Sequence, residues 1–239
     1  MSTKCKKSLI SGPVTLFAVI ISIIFSIFSI FSICSSPALS QVAMAPDFQA
    51  VDLDGKNVSL SGYRGEAVLL HITNIENPLC RECENALDAQ TNQLSQLAEM
   101  DPGVNIITLN VRKNSYSLDG RELAEGWWNA NITGPWIEDF DPYPLTGKYI
   151  DYSTLEGGFA NPTLILIDKE GNVAGLYHVY QLGKGEIDGT QSAESLKSDL
   201  ERVEAGGASG FEGIASNQGI NYLGMFALGI VTSLSPCSI

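Results

Sequence analysis

Residues 67–100 read AVLLHITNIENPLCRECENALDAQTNQLSQLAEM, and the succession of patterns within them decides the fold. Ala67–Thr73 is a near-continuous apolar run of strand length, as expected where both faces of a strand are covered, the situation of a parallel sheet. From Cys83 to Met100, apolar Ala86, Leu87, Leu94, Leu97 and Ala98 stand among good helix formers, and Asp101-Pro102-Gly103 ends the run. A buried strand therefore feeds a helix through a loop, and two thiols lie where the loop becomes the helix.

Working outward, the same alternation continues. Upstream, Asp47–Leu53 and Val58–Leu60 flank the turn Asp54-Gly55-Lys56-Asn57 and predict a β-hairpin. Downstream, Val104–Val111 is a second buried strand, Glu122–Trp128 a short helix, and Tyr149-Ile150 closes another. Thr163–Asp168 is a third central strand, Lys169-Glu170-Gly171-Asn172 a tight turn and Val173–Tyr180 its hairpin partner. Ser192–Val203 is a last amphipathic helix with Leu196, Leu200 and Val203 on one side. Strands alternating with helices, then a terminal hairpin and helix, imply an α/β fold: a mixed central sheet flanked by helices, with the N-terminal β-hairpin as an extension.

The spacing Cys80-Arg81-Glu82-Cys83 has a chemical purpose. At a helix N-terminus the first cysteine meets unpaired N–H groups and the positive end of the helix dipole, which favour thiolate over thiol. The second, one turn in, is close enough to close a small disulfide ring. Cys80 is thus expected to attack as nucleophile and Cys83 to resolve the mixed disulfide. Arg81 should favour the Cys80 thiolate and Glu82 oppose it, so both tune it. Other readings of the pair remain: an inert structural disulfide, or half a zinc site completed by His71 and His178, the only histidines. A second C-x-x-C is missing, and no metal or cofactor is expected. Pro162, directly before the third strand, either opens that strand or forms a cis Asn161-Pro162 bond facing the dithiol, with Asn161, Pro162 and Thr163 offering a backbone edge to substrate.

The two ends carry a different message. Lys4, Lys6 and Lys7 precede Leu9–Cys34, an apolar stretch, and no charge follows until Asp47. Residues 1–40 therefore read as a signal peptide or signal anchor, with Ala38-Leu39-Ser40 as a small-x-small cleavage site. Residues 45–205 form the folded domain and 206–219 a Gly-, Ala- and Ser-rich linker, and 220–239 are uncharged and long enough to span a bilayer. The folded part is expected outside the cytoplasm, tethered to the membrane. The 27 acidic against 14 basic residues, net charge −13, exclude nucleic acid as a partner, since that needs a basic face. Five cysteines, only two of them within 45–205, are not the dense set of a disulfide-stapled scaffold.

These residues also resemble a known family. Ala45-Pro46-Asp47-Phe48, Asp54-Gly55-Lys56 and Tyr63-Arg64-Gly65-Glu66-Ala67-Val68-Leu69-Leu70 are similar to the opening of the TlpA/ResA-like, AhpC/TSA-Redoxin-like branch of thioredoxin-like folds. Cys80-x-x-Cys83 stands where that branch has its active site, and Asn161-Pro162-Thr163-Leu164 through Ile167-Asp168-Lys169-Glu170-Gly171 is similar to its cis-proline strand and turn. Leu79 replaces the usual Trp before the first cysteine, and Asn161 the usual Thr or Val. The Thr-x-x-x-Cys pattern of peroxiredoxins is not matched. The resemblance implies a thiol-disulfide oxidoreductase acting on disulfide-bearing client proteins, a reductase serving cytochrome c maturation (with apocytochrome c as client) or protein thiol homeostasis. A protein disulfide oxidase, or a non-catalytic thioredoxin-like binding module with a static bridge, are the alternatives. Gly224–Cys237, ending Leu234-Ser235-Pro236-Cys237, resembles the first membrane helix of the CcdA/DsbD electron transporters. That implies a redox-active Cys237, a CcdA/DsbD-like membrane donor, and a chain truncated or split from a longer transporter. By hydropathy alone the same residues read as a simple C-terminal anchor with a stray cysteine.

Overall fold

The computed structural model describes residues 43–76, 79–113 and 118–206. The expected signal segment 1–40, the linker beyond residue 206, the span 220–239 and Cys237 lie outside the described residues. Among the described residues no helix is long and apolar enough to cross a membrane.

The strands and helices follow the hydrophobic pattern. The chain opens with the hairpin β1 (Gln49–Val51) and β2 (Asn57–Ser59), paired antiparallel. Then come β3 (Val68–Thr73), α1 (Arg81–Met100), β4 (Asn105–Arg112), α2 (Gly120–Trp128) and β5 (Trp136–Phe140). A 3₁₀ turn at Thr146–Tyr149 runs into the single-turn α3 (Ile150–Ser153), followed by the small hairpin β6 (Thr154–Leu155) and β7 (Gly158–Phe159). The chain ends with β8 (Thr163–Ile167), β9 (Val173–His178), the hairpin β10 (Tyr180–Gln181) and β11 (Gly185–Glu186), and α4 (Ala193–Glu204). The central sheet has the order β5-β4-β3-β8-β9. Strands β3, β4 and β5 are parallel, and β8 and β9 run antiparallel to their neighbours. This is a thioredoxin-like α/β fold with a mixed sheet.

Period-two alternation explains why β3 reads as an unbroken apolar run. Val68, Leu70 and Ile72 face one side with Phe48, Val58, Leu60, Tyr149 and Ile165. Leu69 faces the other with Leu94, Leu97, Leu196 and Leu200 from α1 and α4. Both faces are covered, so every residue of the strand is buried.

Strand β5 has no counterpart in the sequence reading. Its sequence WIEDF carries two carboxylates, which hide a buried strand from any apolar-run criterion. Each is satisfied by a specific partner instead. Asp139, 1% exposed, accepts from Thr146 N and Oγ1, both at 2.7 Å. Glu138 is held by the cluster described below. Helix α2 begins two residues earlier than the sequence indicates because Asp119 and Glu122 form a reciprocal capping box.

Candidate functional site

Helix α1 also starts before its apolar periodicity does, and the reason bears on the chemistry. Its N-cap is Cys80, whose backbone is extended (φ −154°, ψ 163°) rather than helical. The Cys80 sulfur accepts the Cys83 backbone N–H at 3.0 Å, so a sulfur does what a Ser or Asp oxygen does at an ordinary cap. Cys80 and Cys83 are joined as a disulfide with Cα atoms 5.0 Å apart. Cys80 is half-buried and Cys83 buried at 6% exposure. The more accessible sulfur is the one that faces the helix amides.

Arg81 and Glu82 both point to solvent. The first turn carries a second carboxylate, Glu84, beyond the two expected tuning residues. Exposed charges are screened by water, so the amide held against Cys80 is the better-placed influence on its sulfur.

The loop from β3 to α1 is fastened at several points. Asn161 lies across from it: its Oδ1 accepts the Asn74 N–H at 3.0 Å and its Nδ2 donates to the Asn74 carbonyl at 3.1 Å. The Asn161–Pro162 peptide is cis. The Asn161 N–H donates to the Tyr180 carbonyl at 2.8 Å, so this donor of the expected substrate edge is already engaged. Pro162 is buried, and its carbonyl accepts the Val179 N–H at 3.1 Å. Thr163, also expected to meet substrate, is fully buried and its hydroxyl donates to the Ala160 carbonyl at 3.2 Å. It supports the turn from beneath.

A second anchor is a buried charge cluster. Arg112, at the end of β4, pairs with Glu76 in the loop and, through Nε, with Glu138 at 3.1 Å. The three side chains are 3%, 9% and 7% exposed, in that order. Glu138 also accepts from Trp136 Nε1 at 2.7 Å and Gly120 N at 2.9 Å. Burial pushes the Glu138 carboxyl above the usual carboxylate range, and these hydrogen bonds with the Arg112 charge pull the other way. The Ile75 N–H donates to Asn110 Oδ1 at 3.2 Å, and Asn110 in turn donates to Glu138. None of this is visible in the sequence, because the partners stand far apart along the chain, 36 residues for Arg112 and Glu76, and meet only through the folded sheet.

Beside the dithiol lies an open groove of about 690 Å³. Cys83, Leu79, Asn161 and Tyr180 line it together with Phe159 and Leu182. Leu79, Phe159 and Leu182 are 65%, 58% and 49% exposed, so its rim is apolar. The cis Asp141–Pro142 peptide also contributes to its wall.

The two histidines sit apart from the sulfurs. His71 is in the middle of β3, with Nδ1 3.3 Å from Thr108 Oγ1, and burial alone pushes it down to about 3. His178 Nε2 lies 2.7 Å from the Tyr152 carbonyl. Among the described residues no group of three or more His, Cys, Asp or Glu side chains could hold a metal ion.

Comparison with known proteins places this geometry. Residues 42–185 match the AhpC/TSA family. The chain is 29% identical over 167 residues to the thiol-disulfide oxidoreductase ResA of Geobacillus thermodenitrificans, covering 70% of this chain and 80% of that protein. The ResA of Geobacillus kaustophilus matches with the same identity and coverage. Among solved structures, an uncharacterized conserved protein from Geobacillus kaustophilus superposes with a TM-score of 0.50 at 15% identity, covering 72% of this chain and 86% of that one. That last likeness concerns the fold alone.

Proposed function

We propose that this chain, which belongs to the AhpC/TSA family and is a thiol-disulfide oxidoreductase, works as a membrane-tethered disulfide reductase outside the cytoplasm. Its clients are disulfide-bearing exported proteins, with apocytochrome c the leading candidate, and its electrons come from a dithiol donor in the membrane of the CcdA/DsbD kind. Support for the placement comes from the lysine-led apolar segment at the N-terminus and the uncharged segment at the C-terminus. The apolar rim of Leu79, Phe159 and Leu182 suits an unfolded polypeptide better than a small polar disulfide.

The observation that carries the reading is the Cys83 N–H held 3.0 Å from Cys80 Sγ at the mouth of α1. Once the bridge is reduced, that donor and the helix terminus stabilise a Cys80 thiolate. The thiolate attacks one client sulfur, the client S–S bond breaks, and the departing client thiolate takes a proton from water. Cys83 loses its proton to water and attacks Cys80 Sγ, closing the Cys80–Cys83 bond and releasing the second client sulfur as a thiolate that is protonated in turn. Two electrons and two protons pass to the client. The donor dithiol then returns both.

The test uses full-length protein reduced with dithiothreitol and freed of it. It should cleave a disulfide in an unfolded exported protein, and Cys80→Ser should abolish this. Retained cleavage by the Cys80→Ser protein would refute the assignment.

A further inference from the structure

One residue that neither the dithiol motif nor the cis-proline strand accounts for touches the reacting sulfur. The Tyr180 hydroxyl lies 3.8 Å from Cys80 Sγ. In the disulfide the sulfur carries no hydrogen, so the hydroxyl is the donor and the sulfur the acceptor, at a separation that suits sulfur's large radius. Tyr180 is half-buried and lines the groove beside the dithiol.

Its position is fixed by backbone pairing. The Tyr180 carbonyl accepts the Asn161 N–H at 2.8 Å, and the preceding Val179 donates to the Pro162 carbonyl at 3.1 Å. The next residue, Gln181, is 1% exposed, pairs with Gly185 across the β10–β11 hairpin and forms a bridge with Ala160. The ring is therefore presented to Cys80 from a segment tied to the cis-proline turn on one side and to a closed hairpin on the other.

We propose that Tyr180 is a catalytic residue whose hydroxyl donates a hydrogen bond to the Cys80 thiolate, holding that sulfur ionised between turnovers. This rests on the reading of Cys80 as the nucleophile. A neutral disulfide sulfur is a weak acceptor, whereas a thiolate is a charged one, so the bond strengthens when the bridge opens. The stabilisation is thus felt by the reduced form more than by the oxidised one. No proton is transferred from Tyr180 in any step. The hydroxyl shares its hydrogen with the thiolate that attacks the client, and again with the thiolate that leaves when the donor dithiol regenerates the site. Together with the Cys83 N–H, it gives Cys80 Sγ two donors from opposite elements, α1 and β10.

The experiment is the pH dependence of Cys80 alkylation in the reduced full-length protein and in Tyr180→Phe, read by mass spectrometry on the Cys80 peptide. Phe keeps the ring and its packing and removes only the hydroxyl. In Tyr180→Phe, alkylation at about pH 6.5 should slow about three- to tenfold, as expected for loss of one charge-assisted hydrogen bond. At about pH 9.5, where the thiol is ionised in both proteins, the rates should match, or the variant should be slightly faster because a less stabilised thiolate is the better nucleophile. The equilibrium with glutathione should shift toward the disulfide by a similar factor. Equal slowing at both pH values indicates altered access and overturns the proposal, as does a variant profile superimposable on the parent's. A parent protein whose Cys80 reacts like a free cysteine, and which cleaves no disulfide, overturns the nucleophile assignment itself.

Discussion

The side-chain amide of Asn161 is closed around the backbone of Asn74, accepting its N–H at 3.0 Å and donating to its carbonyl at 3.1 Å. In effect the amide adds one more rung to the antiparallel ladder between β3 and β8, which ends at Ile72 and Thr163. Asn161 therefore acts on the site through the loop that carries Cys80, rather than through a side chain offered to the client.

Replacing Asn161 with Ala removes both bonds, together with a longer one that Oδ1 accepts from the Thr73 hydroxyl at 3.4 Å. We expect a loss of about 1–3 kcal/mol in denaturant-unfolding stability, two net hydrogen bonds' worth. Catalysis should fall further than this loss of folded population explains, because the Cys80 loop is released. A variant with unchanged stability would show that the amide does not clamp the loop.

His71 gives the domain a pH dependence of known sign. Its folded-state value is pushed down to about 3 by complete burial, against an ordinary value near 6.5. The unfolded chain takes up a proton at this residue as pH falls below about 6.5, while the folded protein does not. Stability is thus fully present above that pH and is lost as pH falls toward about 3. The slope from this residue approaches about 1.4 kcal/mol per pH unit where only the unfolded state is protonated. Urea unfolding of the parent and of His71→Leu between about pH 4 and pH 7 should show that slope in their difference. Parallel curves would contradict it.

Arg112 supports two buried carboxylates at once. Changing it to Leu should destabilise the protein by about 3–5 kcal/mol at neutral pH, because Glu76 and Glu138 lose their counter-charge. Glu138 is already pushed upward by burial, so its folded form binds a proton more readily than its unfolded form. The penalty in Arg112→Leu should therefore shrink as pH falls and that carboxyl is neutralised. Thermal unfolding at about pH 5 and about pH 7.5 distinguishes this from a pH-independent loss of packing.

Local pattern foretold part of this arrangement and was blind to the rest for identifiable reasons. The run of β3 and the helix after the cysteines are properties of neighbouring residues, and so they are readable in order along the chain. Strand β5 escaped because Glu138 and Asp139 are buried by partners distant in sequence, which no alternation rule records. The cysteine spacing places the start of α1, but not the Cys80 sulfur as its capping atom, because sulfur is not among the usual caps. Tyr180 stands about a hundred residues from Cys80 and reaches it only through the folded sheet. Asn161 departs from the usual Thr or Val of the family, yet its side-chain partners lie on the loop after the neighbouring strand, far away in sequence.

The most direct test of the central claim is covalent trapping. Full-length protein carrying Cys83→Ser, mixed with a disulfide-bearing client, should accumulate a mixed disulfide that peptide mapping places on Cys80, because the resolving thiol is gone. The Cys80→Ser protein should trap none. An adduct on Cys83 in the Cys80→Ser protein, with none on Cys80 in the other variant, would contradict the account.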